Sequence, residues 1–565
     1  MNLTLSAVAK AALEHDGPVL VTGGPGSGKT TLALLKAQRL VAALKPGQEI
    51  LFLSFSRAAV RQVLVRCKDV LTAEERRHIS IRTYHAFCMD LLKSHGRLLT
   101  GQPARILFPG PERLAKSVFS GDWDAELERL AREESRYAFS AFAGHAADLL
   151  GRSQCVRELI ADTYPIVILD EFQDTDDPQW ALVQELARGS LLITLADPDQ
   201  RIFEYDDKVD PLRLDHLRAT LAPAEFDLRG INHRSPNAGI LGFADAVLRD
   251  TELPVTSDVV VRAYYSNAFE GTVHAGVVWM LSALRKEGIQ SPSVAVLARS
   301  NPFVGDLSQL LTKENIYNGQ RLSPVEHHVV WDAELSAAAA QVIASILEWP
   351  ERDEATGVAT TLETIADFYD MKNAVRPSRA SQRSADTFRT AAEKVRTDGD
   401  PRPTAVKAIK AAFAVDLVLR GDPATDWLAA RAIIQKIDVL RDVFGAVRFV
   451  RLFRATDEIG GRLGRQWAET GTYGNAREIV RRTINDGRLI ASETEPKGVV
   501  LMTMHKAKGK EFDGVILVEG KWVGKFFDER KEKPPYEPSR RLLRVGITRA
   551  RSRVAIIRPH GALPL

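Results

Sequence analysis

The sequence predicts an α/β protein with two parallel-sheet domains, each interrupted by a mainly helical insertion. Three observations lead there. An apolar run, Val19-Leu20-Val21, opens into a glycine loop, Gly23–Thr30 (GGPGSGKT), and then into a helix-like run from Thr31. Strand, loop and helix in that order are what a phosphate-binding loop needs. A second apolar strand ends in acids at Ile166–Asp174 (IVILDEFQD). Further on, short apolar strands return on both sides of a long helical stretch, so the first design recurs.

Taken in order, Pro18–Thr22, Ile50–Phe55 and Ile79–Arg82 read as strands, with helix-like patterns over Thr30–Leu44 and Ala58–Val65 between them. The strand signal is lost over 89–160, where Ala125–Leu150 looks like helices of mixed charge. It returns at Ile166–Leu169 and Leu191–Leu195. The first sheet domain is therefore drawn over 1–88 and 161–222, with 89–160 as its insertion. A second alternating region starts near Phe226 and includes Val294–Ala298. From Asp332 to about Leu489 the pattern is helical, with a break at Arg376–Ser384 and a turn-rich stretch at Thr397–Thr404. Strands return at Val499–Met502, Gly514–Leu517 and Val554–Ile557. The second domain is drawn over 223–331 and 490–565, around an insertion at 332–489. With little sequence beyond Ile557, no C-terminal accessory domain is expected.

Composition narrows the class. At about 150 residues per domain, 565 residues allow roughly four domains. Apolar and charged fractions of 45% and 26% are ordinary for a globular protein. No apolar run is long enough to span a membrane, and the N-terminus lacks the pattern of a signal peptide. Cys67, Cys88 and Cys155 are far apart, which disfavours a zinc or iron–sulfur site. The expectation is a reduced, cytoplasmic protein with no membrane partner. Net charge is +3, so nucleic-acid contact must come from a local groove.

The chemistry is concentrated in the first domain. Backbone N–H groups of the loop through Gly23, Gly26, Ser27 and Gly28 can wrap a phosphate, helped by the helix N-terminus that carries Thr30 and Thr31. Lys29 would reach the β- and γ-phosphates, and the Thr30 hydroxyl would hold Mg²⁺. Asp170 suits Mg²⁺ as well, and Glu171 suits the base that polarises an attacking water. The bland readings are a glycine turn with a surface lysine and a solvated acidic helix start. Finding both motifs in one chain argues against each.

Further blocks come in order: SFSRAAV (Ser54–Val60), TYHAF (Thr83–Phe87), ADPDQRIFEY (Ala196–Tyr205), INHRS (Ile231–Ser235), ARSN (Ala298–Asn301), TMHKAKGKEFD (Thr503–Asp513) and RRLLRVGITRA (Arg540–Ala550). With GGPGSGKT and DEFQD, this set resembles superfamily 1 DNA helicases of the UvrD/Rep/PcrA type, over about half the chain. The resemblance implies two RecA-like cores that close on ATP. Gln173 and Gln200 would sense the γ-phosphate from the first core, and Arg234 and Arg549 would reach it from the second as arginine fingers. Glu511 would hold the ribose and His233 would stack on the base. Four departures stand out. No glutamine precedes Gln38, although the family reads adenine with one upstream of the loop. His233 stands where the family has a tyrosine, Tyr205-Asp206-Asp207 where it has Trp-Arg-Gly, and Arg544 where it has an aromatic.

A single strand can be held by aromatic faces and scattered cations without sequence preference. Phe55, His85, Phe203 and Tyr205 are the stacking candidates, expected at strand ends opposite the glycine loop. Arg57, Lys506 and Lys508 are the phosphate candidates. For Phe55 and Phe203 the competing reading is core packing. Three functions are consistent with these residues. The first is an ATP-dependent single-strand DNA translocase and helicase, 3′→5′ by resemblance, acting on single strands and single–double junctions in repair or phage defence. The second is a DNA-stimulated ATPase subunit that controls a partner nuclease, since compact helicases of this type occur in anti-phage systems such as Gabija. The third is a generic P-loop NTPase.

Overall fold

The structure, a computed structural model, describes residues 5–201, 209–228, 238–330, 333–375, 378–397, 399, 403–415, 417–437, 440–447, 458–487, 498–530 and 532–565. These fall into two compact units. One takes Met1–Ala104, Ala141–Val330 and Ala491–Leu565, and the other takes Arg105–Ser140 and Trp331–Ile490.

The first unit holds two six-stranded sheets. In chain order the strands are β1 (Val19–Thr22), β2 (Ile50–Ser54), β3 (Ile79–Thr83), β4 (Arg105–Leu107), β5 (Arg136–Ala138), β6 (Ile166–Leu169), β7 (Leu191–Ala196), β8 (Ala224–Asp227), β9 (Val259–Tyr264), β10 (Ser293–Ala298), β11 (Asn315–Tyr317), β12 (Gln320–Leu322), β13 (His327–Val329), β14 (Gly498–Thr503), β15 (Phe512–Val518) and β16 (Ala550–Pro559). The first sheet has the order β3-β2-β6-β7-β1-β8 and the second β13-β14-β10-β15-β16-β9. Every pairing in both is parallel. Central strands such as β2 and β6 are buried along their whole length, as continuous Ile/Leu/Val runs require when helices cover both faces. Two parallel-sheet domains in one chain is the fold class read from the sequence.

The second unit is helical. Its core joins Val342, Ile346, Leu362, Phe388, Trp427 and Leu463 from successive helices. It also includes part of the first insertion: the helix Pro109–Val118 packs on the helix Glu354–Val375. The span 89–160 is thus shared between units. Tyr84–His95, Phe142–Arg152 and Gln154–Thr163 are helices of the sheet unit, and only 105–140 joins the helical one. Two sequence expectations need correcting. The supposedly strandless insertion contains the short parallel pair β4–β5. The break at 376–384 gives way by Arg379, where the helix Arg379–Arg396 starts; Ser378 caps it by accepting from the Ser381 N–H at 3.1 Å.

Candidate active site

β1 delivers the chain into the glycine loop at the C-terminal edge of the first sheet. Gly28 sits at φ 88°, a left-handed conformation that side chains with a Cβ resist, and starts the helix Lys29–Val41. Lys29 folds back on its own loop, donating from Nζ to the carbonyls of Gly23 (2.5 Å) and Gly24 (3.2 Å). The Ser27 hydroxyl is buried with no hydrogen-bond partner in the protein. An orphaned hydroxyl and a lysine held over backbone oxygens are the groups a phosphate would satisfy. The cleft around them is lined by Gly26, Thr30, Asp170, Glu171, Glu511 and Arg549, among others.

Asp170 and Glu171 come directly after β6. Asp170 is buried, and its N–H donates to Leu53 O at 2.9 Å. Burial pushes its carboxyl up to about 7, with the neighbouring Glu171 charge adding and Lys29 opposing. Burial would also raise Glu171, but Lys508 and Lys29 outweigh it and hold that carboxylate below its usual range. Glu171 takes φ 54°, a strained backbone of the kind that collects at functional sites.

A chain of hydrogen bonds leads from Glu171 to the second sheet. Gln173 Nε2 donates to Glu171 Oε2 at 2.6 Å, and Gln173 Oε1 accepts from the Asp197 N–H at 2.9 Å. Gln200 Nε2 donates to Asp197 Oδ2 at 2.7 Å, while Gln200 Oε1 accepts from Arg549 Nη2 at 3.4 Å. Asp170, Glu171, Gln173 and Gln200 on one core thus meet Arg549 on the other. Glu511 lines the same cleft and pairs with Arg551 at 3.3 Å. Thr31 lies beside it and accepts from Arg66 Nη1 at 3.5 Å.

Other expectations land elsewhere. Lys508, expected on the DNA track, is nearly buried in the cleft, where it pairs with Asp174 and donates to Gln200 O at 2.8 Å. Burial raises Asp174 to about 6 against the pull of Lys508. Phe55 and His85 do not lie opposite the glycine loop, as the sequence suggests. They come after β2 and β3, which run parallel to β1, so they lie on the same sheet edge, displaced sideways. Phe55 is half-buried, with its ring 5.1 Å from that of Tyr84, and burial takes His85 down to about 4, so it is neutral at physiological pH. Phe203, Tyr205, His233 and Arg234 lie outside the described residues, as does the side chain of Arg57.

Three residues in or beside the cleft have no role in the sequence reading. Gln62 and Arg66 project into it from the helix Arg57–Val70, four residues apart and so on one face. Arg544 of the second core is only 2% exposed and reaches the first core, pairing with Asp197 and Asp199 at 3.8 Å and with Asp245 of its own core at 2.8 Å. Its Nη1 has no hydrogen-bond partner. The signal for Arg544 is its departure from an aromatic; for Gln62 and Arg66 it is only helical spacing.

The sequence pattern of the UvrD/REP helicase N-terminal domain matches residues 5–118 and 115–207, and that of the UvrD-like helicase C-terminal domain matches 454–560. The chain belongs to the UvrD/Rep helicase family. Its UvrD-type relatives include the ATP-dependent DNA helicase UvrD1 of Mycobacterium leprae, 23% identical over 98% of this chain and 82% of the relative. UvrD1 of Mycobacterium tuberculosis is 24% identical over 99% and 83%. RecB, a RecBCD enzyme subunit of Mycolicibacterium smegmatis, is 31% identical over 29% of this chain and 16% of its own length. Family membership makes the chain an enzyme of the helicase class. No helix among the described residues is long and apolar enough to cross a membrane.

Proposed function

We propose that this UvrD-type helicase is an ATP-driven motor that moves 3′→5′ on single-stranded DNA and opens duplex at single–double junctions, in repair or phage defence. The observation that carries this reading is the hydrogen-bond chain Glu171–Gln173–Asp197–Gln200–Arg549. It joins a carboxylate placed to activate water on one core to a guanidinium on the other. Hydrolysis then depends on how the cores meet, which is the requirement for turning it into movement.

The residues divide by chemistry. Gly23, Gly26, Ser27, Gly28, Lys29 and Thr31 cradle the phosphates, and Glu511 takes the ribose. Glu171 accepts a proton from the attacking water, oriented with Gln173 and Gln200. Arg549, with Arg234 as its expected partner, stabilises charge that gathers on the transferring phosphoryl group. The donors suit Mg²⁺: Thr30 and Asp170 are hard oxygen ligands beside the phosphate loop. Mg²⁺ is commonly held in this way, through one or two protein oxygens together with nucleotide phosphates. When bound, Mg²⁺ would neutralise charge between phosphates. Phe55 and His85, with Phe203, Tyr205 and Arg57, form the DNA track. In this scheme Lys508 links the track motif to the cleft rather than to a phosphate of DNA.

A second reading has one observation in its favour. The M. smegmatis relative is by name a subunit of a larger enzyme, so a subunit role is the alternative: a DNA-stimulated ATPase that would control a partner nuclease. Both are tested by ATP hydrolysis with and without single-stranded DNA, and by strand displacement on 3′- and 5′-tailed duplexes. Displacement from the 3′ tail by the purified chain supports the motor. DNA-stimulated hydrolysis without displacement supports the subunit. Hydrolysis indifferent to DNA defeats both and leaves a plain P-loop NTPase.

A further inference from the structure

The two most exposed Trp, Tyr or Phe side chains among the described residues are Trp522, 78% exposed, and Tyr265, 65% exposed. They stand on one edge of the second sheet. All six strands of that sheet run parallel, so residues just before a strand and residues just after it lie at opposite edges. Glu511 and Arg549 precede β15 and β16 and face the nucleotide cleft. Tyr265, Trp522 and His560 come after β9, β15 and β16 and take the far edge. The track motif Thr503–Lys506 ends β14 at that same far edge. Lys506, a phosphate candidate of that track, follows β14 there. From β14 through β10, β15 and β16 to β9 the far edge runs about 19 Å at ~4.8 Å per strand, room for several nucleotides.

The turn that carries Trp522 is held rigidly. Glu519 at its base is buried, pairs with Arg558 at 2.8 Å and accepts the Phe526 N–H at 3.0 Å. Tyr264 Oη donates to Glu519 O at 2.8 Å. Gly524, at φ 78°, leaves no room for a Cβ against Phe303, and its carbonyl accepts from the Gly520 N–H at 3.3 Å. On this turn Lys521 Nζ sits 5.2 Å from the Trp522 ring and donates to Ser266 Oγ at 2.8 Å, tying the turn to the end of β9. Tyr265 stacks on His560 with centroids 4.8 Å apart and planes 14° from parallel. Lys525, three residues past Trp522, is exposed.

A free surface gains nothing from presenting an indole to water on a fixed turn. A flat ring on such a turn, with one lysine against it and another three residues on, is what an unstacked base with its phosphates requires. We propose that Trp522, Tyr265, Lys521 and Lys525 form a second platform for single-stranded DNA, extending the track along the edge of the second core. This rests on the single-strand motor reading, and carries it further by giving the strand a path beyond the two-core cleft.

The test is binding of oligothymidylates of about 8 and about 24 nucleotides, lengths that bracket a short and an extended site. The wild type should bind the long strand more tightly per molecule than the short one. Trp522→Ala should weaken the long strand about 5- to 100-fold, leave the short one unchanged, and keep its melting temperature. Trp522→Phe should retain most of the length gain. Lys521→Ala and Lys525→Ala should each flatten the slope of log affinity against log salt by about one unit. Equal length dependence in Trp522→Ala and wild type overturns the platform and favours a protein as the occupant of the patch. A uniform loss at both lengths overturns it too. A wild type that binds neither strand brings down the motor reading itself along with the platform.

Discussion

The two parallel sheets of this helicase are built alike and used from opposite ends. In the first, the chemistry comes after the strands: the glycine loop after β1, Asp170 and Glu171 after β6, Asp197 to Gln200 after β7. In the second, the residues that meet the nucleotide cleft come before their strands, Glu511 ahead of β15 and Arg549 ahead of β16. Repeating a fold has not repeated its site. The first core offers a complete phosphate cradle with a carboxylate pair. The second offers cations to the other core's cradle, and its far edge carries the proposed platform.

The largest effect should come from breaking that division. Lys29→Ala should abolish binding of a fluorescent ATP analogue, while Arg549→Ala should bind it and lose about 10³–10⁵ in turnover. Arg549→Lys should not recover it, because a point charge lacks the planar fork. Turnover near wild type in Arg549→Ala would mean that the second core contributes no catalysis. Next comes Arg544, which gives the first core's Asp197 a buried counter-charge. Arg544→Ala should destabilise the protein by about 3 kcal/mol in denaturant unfolding, since an uncompensated carboxylate remains. An unchanged midpoint would reduce Arg544 to a bystander.

A pH experiment sharpens the same contrast. Asp170 and Asp174 have folded values near 7 and 6, both above the unfolded value of 3.8. Groups raised in this way favour the folded state fully below pH 3.8, and that contribution is lost as pH rises through 6 to 7. Asp170→Asn should therefore raise the nucleotide-free melting temperature at pH 8 and change it little at pH 4. An equal effect at both would mean that Asp170 is not held proton-bound by its surroundings. The smallest effect concerns the base. With no upstream glutamine, GTP should support turnover within about tenfold of ATP, near 1.4 kcal/mol. A larger preference that Gln62→Ala removes would make the helix after β2 the reader of the base.

Contiguous features are legible in the sequence. β1, β6 and β10 announce themselves because burial on both faces demands unbroken apolar runs. β8 (AEFD) and β9 (VVVRAY) lie at the two ends of their sheets, are partly exposed, and blur into one alternating region. The helix Arg379–Arg396 reads partly as a break because Arg and Ser dominate its start. Its buried Ala385, Phe388, Ala392 and Val395 carry the helical spacing later on. The site divides in the same way. Lys29, Asp170, Glu171 and Gln200 sit in motifs of adjacent residues. The pairing of Lys508 with Asp174, and of Arg544 with Asp197, joins positions more than 300 residues apart, and local pattern does not encode it.

Lys508 on Asp174, Arg549 on Gln200 and Arg544 on Asp197 all cross from second core to first. Each sets a cation against an acidic or polar group on the other core, like stitches across a seam. Any movement that parts the cores must undo them one by one, and cutting a single stitch should make the seam easier to open.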